Sequence, residues 1–483
     1  MGDLKFNVPH TDQYDRRIWD SAYITGIEGI PWRCHHRESN GQFSIGREID
    51  ESGKLNIVWP TTAIGNVCIS TTSLKISAKP YELCLELARG TVNRMRAQAS
   101  DWQRMGLRFP DGFFPRTEKS LEYLLRALTS RSDRGAQRRL AQMAIDMALQ
   151  ASMVLCDSYS EQALNARKQL EGRLTTLLGI ELEPSPTCLP MFGRAIDTTF
   201  NLVNIAADLG AVETASGALD FSTFEAQADW GIRHNKKVCV GPLVHFGKGR
   251  LPRWMVLLGE GFESVREAAC RHARECVERF QGRAHIWNVA AGLNTPGDIQ
   301  WSDEEVLRLA VGMIETVRSA DQRAPVLLTI DQPWSEYLRF DENGISPLHF
   351  ADALIRAELG LSGLALDLRF GLEAGQSFPR DLLEISRLID RWAMLGLPLM
   401  VILNAPSTAL SEPPASSWQS PISSSGLVNP MSIVRILMSK PAVHGVIWSE
   451  LRGVPTADGL MSHQEKPKGL VKEFTELRKC YLL

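Results

Sequence analysis

Pro325-Val326-Leu327-Leu328-Thr329-Ile330 is a short, nearly unbroken apolar run, and after the helical stretch Pro347–Glu358 a second run follows at Gly363–Arg369. Another helical stretch, Arg380–Met394, leads to a third run at Leu397–Leu403. Strands covered by helices on both faces lose the polar alternation of a half-exposed strand, so short apolar runs alternating with helices predict a parallel sheet. Working outward, the same rhythm places strands near Leu174–Leu182, Thr199–Ile205, Lys237–Val244 and Ala284–Ala291, and a last one at Val443–Trp448. Helical periodicity covers Phe262–Phe280 and Asp303–Ser319 between them. Eight strands with intervening helices over residues 173–483 have the size and rhythm of a (β/α)8 TIM barrel, which makes the fold class α/β.

The preceding residues read as two further units. Residues 1–80 hold short apolar runs, Ala22-Tyr23-Ile24, Phe43-Ser44-Ile45, Leu55-Asn56-Ile57-Val58-Trp59 and Val67-Cys68-Ile69, separated by Ser-Asn-Gly and Glu-Ser-Gly turn signals. That pattern predicts a β-rich domain, a small sheet or sandwich. Residues 81–172 form a helical segment, with helices from Tyr81 to Gln103, Glu118 to Ala127 and Gln137 to Leu170, the second entered through a cap at Thr117-x-x-Ser120.

Composition narrows the class. At 44% hydrophobic and 23% charged residues the chain reads as a globular protein with a large core. A formal charge of −3, with Lys and Arg interleaved among acids, gives no basic footprint for nucleic acid. No run of about 18 apolar residues suggests a membrane span, and Met1-Gly2-Asp3-Leu4-Lys5-Phe6 does not read as a secretory leader. The expectation is a cytoplasmic protein with no membrane partner. Nine scattered cysteines without a C-x-x-C pair argue against a disulfide framework. Cys34-His35-His36 lacks the fourth ligand and spacing of a zinc site, and no phosphate-cradling glycine loop occurs. Neither metal nor cofactor is expected.

Several segments of the barrel half resemble, in order and spacing, the family 10 glycoside hydrolases, the family of endo-1,4-β-xylanases. Phe200-Asn201-Leu202-Val203 is similar to the family's F-N-x-V, and Leu243-Val244 with Leu251-Pro252-Arg253-Trp254 to its L-V-W-H and L-P-x-W. Trp287-Asn288-Val289 resembles the start of W-D-V-V-N-E, and Leu395-Gly396-Leu397-Pro398-Leu399 resembles L-G-L-P-I. Gly445-Val446-Ile447-Trp448, Gly459-Leu460-Met461 and Lys466-Pro467-Lys468 are similar to the family's closing stretch.

The resemblance implies a xylanase-like barrel, while the chemistry of that family does not carry over. The general acid/base glutamate of W-D-V-V-N-E aligns with Gly292, and the nucleophile of H-V-T-E-L-D aligns with Leu403. The sugar-binding E-N-x-M-K becomes Ala206-Ala207-Asp208-Leu209-Gly210, and Q-x-H becomes Asp367-Leu368-Arg369. Retaining glycoside hydrolysis needs one carboxylate to attack and one carboxylic acid to assist departure, which Gly and Leu cannot supply.

Barrel proteins place functional groups at the C-terminal ends of their strands. Those ends carry Glu181 and Glu183, Asn204, His245, Asn288, Asp331 with Gln332 and Trp334, Asp367 with Arg369, Asn404, and Trp448 with Glu450. Asp331, Asp367 and Glu450 are candidates for a relocated acid pair, although the plainer reading pairs Asp367 with Arg369 or Arg452 and leaves Glu450 a loop charge. Trp448, Trp334, His245, Asn288, Arg369 and Asn404 are candidate ligand-binding residues. Trp rings stack on sugar faces, while Trp254 and Trp287 read more simply as core. The primary expectation is a catalytically silent family-10-like protein that binds an oligo- or polysaccharide, or a protein partner through its N-terminal half. Alternatives are an active glycoside hydrolase with relocated carboxylates and a structural or assembly protein. The β-rich domain fits the carbohydrate-binding modules that the resemblance implies.

Overall fold

The computed structural model describes residues 2–8, 16–39, 41–215, 218–257, 261–340, 344–371, 375–406, 428–451, 457–458, 460 and 469–483. Arg452, Gly459, Met461 and Lys466-Pro467-Lys468 lie outside them. Period-two alternation builds the N-terminal part: β1 (Gly2–Asn7) buries Leu4 and Phe6 while exposing Asp3 and Lys5. The following strands are β2 (Tyr23–Thr25), β3 (Pro31–Trp32), β4 (His35–Ser39), β5 (Gln42–Arg47), β6 (Lys54–Thr61), β7 (Gly65–Ser70) and β8 (Tyr81–Glu82). They form two four-stranded sheets, ordered β4-β5-β1-β8 and β3-β2-β6-β7.

Three helices follow, α1 (Leu83–Arg104), α2 (Phe113–Thr129) and α3 (Arg134–Glu171). The Asp133 side chain caps α3 by accepting from the Ala136 N–H at 2.9 Å. The expected cap at Thr117-Ser120 is corrected: α2 starts a turn earlier, behind Gly112 at φ 83°, and both hydroxyls lie inside the helix, where Ser120 Oγ donates to the Thr117 carbonyl. The Phe113-Phe114 pair obscures that start, because aromatic residues are weak helix signals. Arg94 of α1 is buried against the barrel and pairs with Asp381 at 2.5 Å and Glu384 at 3.2 Å.

From residue 177 each strand is followed by a helix. In order these are β9 (Leu177–Leu182), α4 (Cys188–Thr199), β10 (Leu202–Ile205), α5 (Ser222–Arg233), β11 (Lys237–Val240), α6 (Phe262–Phe280), β12 (Ile286–Asn288) and α7 (Asp303–Ala320). Then come β13 (Val326–Asp331), α8 (Pro347–Arg356), β14 (Gly363–Leu368), α9 (Leu382–Ala393), β15 (Leu399–Leu403), α10 (Pro430–Met438), β16 (Val443–Trp448) and α11 (Gly469–Tyr481). The strands close into a parallel barrel, with β16 pairing with β9. The (β/α)8 barrel read from the sequence is therefore the observed architecture, and Val443–Trp448 and Phe262–Phe280 keep their expected bounds. The strand expected at Lys237–Val244 is shorter, since the chain leaves β11 at Val240 and turns at Gly241 and Pro242.

The lower lumen is filled by Leu202, Cys239, Leu327, Ala365, Met400 and Ile447. Gly445 leaves space for a large neighbour: a Cβ there would stand 2.3 Å from Met400 Sδ. The residues of opposite parity join a core shared with the surrounding helices and the N-terminal sheets.

The second N-terminal sheet docks on the loops that follow β13 and β14. Cys68 N–H donates to the Pro379 carbonyl at 2.8 Å and Cys34 N–H to the Arg339 carbonyl at 3.1 Å. Between them Arg380 donates to Tyr23 Oη at 2.7 Å and to Glu336 Oε1 at 2.8 Å, with all three side chains buried. Removing one partner of a buried ion pair strands the other charge. Arg380→Met is therefore expected to cost about 3–5 kcal/mol of stability, measured by guanidinium unfolding, and adding Glu336→Gln should recover part of that loss.

Candidate binding site at the barrel mouth

Side-chain parity decides what faces the lumen. Successive residues of a strand point to opposite sides, and Leu177, Leu202, Ile286, Leu327, Ala365 and Ile402 all face inward. Continuing each alternation upward brings Glu181, Asn204, Asn288, Asp331, Asp367 and Asn404 to the upper lumen. Asp331 and Asp367 are register partners on adjacent strands, as are Asn204 and Glu181.

This layer is charged and buried. Asp367 is held by Arg369, whose Nε lies 2.8 Å and 3.0 Å from the two carboxylate oxygens, whose Nη2 also bonds it, and whose backbone N–H donates at 2.9 Å. The Asp367 carboxylate holds the guanidinium well above its ordinary pKa. Asp331 Oδ2 accepts from the Gly292 N–H at 2.6 Å. Burial, and then the neighbouring Asp367 charge, raise the Asp331 carboxyl above the usual carboxylate range. Glu450 is pushed up to about 7 by burial and then by Glu181, and Glu181 is itself raised by burial against the pull of Arg369 and Asn204.

His245 lies in a two-residue strand, Val244–His245, paired in parallel with Ala290–Ala291. Its Nδ1 accepts from the Gly247 N–H at 3.1 Å, so the neutral ring carries its proton on Nε2. Burial, with Arg369 and Arg250 behind it, lowers its pKa to about 3. Buried His245 Nε2, Asn204 Oδ1, Gln332 Oε1 and Trp334 Nε1 have no hydrogen-bond partner among the described residues. Groups of this kind call for an occupant, because unpaired buried polar atoms are costly. Gln332 and Ser335 take left-handed backbone angles, φ 43° and 68°. The loop is fastened by Ser335 N–H to the Gln332 carbonyl at 2.6 Å and Gln332 Nε2 to the Gln376 carbonyl at 2.9 Å.

The structure thus brings Asp331, Asp367, Glu450, Arg369 and His245 into one electrostatic group. Trp334 is buried in the core shared with the helices, its ring 6.1 Å from that of Phe370 and with Arg380 over it at 5.0 Å. Asn288 is spent on Thr329, at 2.8 Å and 3.1 Å, and Asn404 Oδ1 accepts from Phe370 N–H at 2.9 Å. Two placements correct the sequence reading. Leu403 points outward with Val401, into the core shared with the helices, so the lumen position at the end of β15 belongs to Asn404. Trp448 also points outward, where its ring meets Phe474 edge-on at 5.5 Å and its Nε1 donates to the Glu450 carbonyl. Trp287 is fully buried and donates to Asp321 Oδ2 at 2.9 Å.

Gly292 adopts φ 73°, and a Cβ on it would stand 2.2 Å from Gly247 N. Position 292 has no room for any side chain. Sequence reasoning passed over this contact, and it passed over Arg250; the Gly247-Lys248-Gly249-Arg250 run beside His245 was the available signal for both. Among the described residues no group of three or more His, Cys, Asp and Glu is arranged to hold a metal ion, and no helix is long and apolar enough to cross a membrane.

No protein-family model matches the chain, and no curated protein matches it. Solved structures similar to it include a family 10 glycoside hydrolase xylanase of Thermobacillus composti, at 15% identity over 62% of this chain and 96% of that one, with a TM-score of 0.44. Xylanase 10B of Thermotoga petrophila, in complex with xylobiose, is similar at 15% identity over 67% and 97%, with a TM-score of 0.46. Native xylanase 10B of Thermotoga maritima is similar at 14% identity over 64% and 98%, with a TM-score of 0.43.

Three outcomes follow from the geometry of the mouth. Gly292→Ala forces a Cβ into backbone at a positive φ, and its melting temperature is expected to fall by several degrees, about 1–3 kcal/mol. Gly292→Glu is expected to create no glycosidase, measured by release of nitrophenol from aryl β-xylosides. Glu450 has a folded-state pKa above its unfolded one, so its contribution to stability is fully present below pH 4.5 and is lost as pH rises through about 7. Glu450→Gln should flatten that part of the stability profile, measured by urea unfolding between pH 4.5 and 8.

Proposed function

We propose that this chain is a carbohydrate-binding barrel that resembles the family 10 glycoside hydrolases and does not hydrolyse its ligand. The observation that carries the reading is the closed approach of Gly292 to Gly247, which leaves the acid/base position without a side chain. Asn404 at the end of β15 supports it, since an amide spent on the Phe370 N–H is no nucleophile. The mouth still offers buried polar atoms without a partner among the described residues, Asn204 Oδ1 and His245 Nε2, as a sugar needs. The sequence resemblance makes xylo-oligosaccharides the first ligands to titrate. Binding measured by calorimetry, with no product seen chromatographically after prolonged incubation, is the expected result. Hydrolysis products from the wild type would overturn the silent-barrel reading.

One observation favours a second reading, a hydrolase with relocated carboxylates. Asp331 and Asp367 are neighbours across the β13–β14 ladder, and the Asp331 carboxyl is raised toward a proton-holding form. The grip of Arg369 on Asp367 weighs against it, because a nucleophile tied by three contacts to a guanidinium is blunted. Should turnover be found, Asp331→Asn is expected to abolish it; turnover unchanged in that variant sinks the relocated pair.

A further inference from the structure

Strands β16, β9 and β10 are consecutive around the barrel, and Trp448 is the register partner of Ile180 as Glu181 is of Asn204. Their ends therefore bring Glu450, Glu181 and Asn204 into one corner of the mouth. Asn204 is 1% exposed, of lumen parity, and donates Nδ2 to Glu181 Oε2 at 3.0 Å, which leaves its Oδ1 buried without a donor. The charged groups facing Glu450 are Glu181 and Glu183 of the β9 end, Arg369 beyond β14 and Arg250. Arg369 binds Asp367 through Nε and Nη2 and Arg250 is exposed, so among the described residues the corner holds more acceptors than donors.

A neutral hydroxyl brings one donor, whereas a protonated primary amine brings three donors and a positive charge. We propose that this corner receives a protonated amine of the ligand, which donates to the carboxylates of Glu181 and Glu450 and to Asn204 Oδ1. The inference rests on the reading of the mouth as a sugar site, and it names the ligand class as an amino sugar with a free amine. Acceptance of the ammonium group also displaces the proton that burial and Glu181 hold on Glu450 near neutral pH.

The test is calorimetric titration of the whole chain at pH 7 with four probes: a β-linked glucosamine tetramer, its N-acetylated counterpart, xylotetraose and 1,4-diaminobutane. The glucosamine tetramer is expected to bind at least about tenfold more tightly than the other two sugars, as charge-assisted hydrogen bonds allow. Its binding should release protons, seen as a heat that varies with the buffer's ionisation enthalpy. Glu450→Gln should lose about tenfold on that probe alone, while Glu304→Gln on the outer helix α7 loses nothing. Equal binding of all three sugars, or equal loss in the two variants, overturns the amine site and leaves the sugar reading standing. Binding of 1,4-diaminobutane with no sugar bound overturns the sugar reading and keeps the amine corner. If no probe binds to folded protein, both fall.

Discussion

Closure of the sheet between β16 and β9 is the constraint on which the site depends. Once the eighth strand pairs with the first, no strand can slip by a residue without turning its whole apolar set from lumen to helix layer. That closure places Ile447 inside and Trp448 outside, Ile402 inside and Leu403 outside. It also sets Asp331 beside Asp367 and Glu181 beside Asn204 on single rows. The chemistry of the mouth follows from this parity, because residues adjacent in sequence there belong to different compartments.

Burial then sorts the charges that parity has collected. Asp367 and Arg369 are two residues apart, close enough for the carboxylate to take the Nε and Nη2 donors of the guanidinium. Burial raises the remaining carboxyl groups, Asp331, Glu181 and Glu450, above the usual carboxylate range, and the pull of Arg369 does not cancel it. Burial first, and then the same guanidinium, lower the His245 pKa to about 3 and keep the ring neutral. A single well-satisfied pair thus makes the rest of the mouth acceptor-rich.

The barrel was legible in the sequence because its signal is repeated eight times, and an error at one strand does not disturb the others. Strand ends were less legible. Thr199 continues a helix and Ala284 precedes the strand, since apolar residues on both faces carry no mark of where pairing begins. The acid cluster was legible as a set of strand-end residues, but the parity of Leu403 and Trp448 was not, because alignment to motifs is uncertain by a residue and parity inverts with each one. The N-terminal β strands were readable from turns and alternation. Their docking through Tyr23 on Arg380 was not, as it joins positions far apart in sequence with no pattern linking them.

The absence of a side chain at position 292 is imposed by the backbone around it. Gly292 is fixed on three sides: by its own positive φ, by the Gly247 backbone against its α-carbon, and by its N–H, which donates to Asp331. Any residue with a Cβ would have to separate the β11 loop from the β12 loop, and these are joined by Phe246 N–H to the Ala291 carbonyl at 2.8 Å and by the His245–Ala291 pairing. The same approach sets His245 in place, since Gly247 donates to its Nδ1. Placing a glutamate at this point would therefore dismantle the arrangement that holds His245 and Asp331 at the mouth.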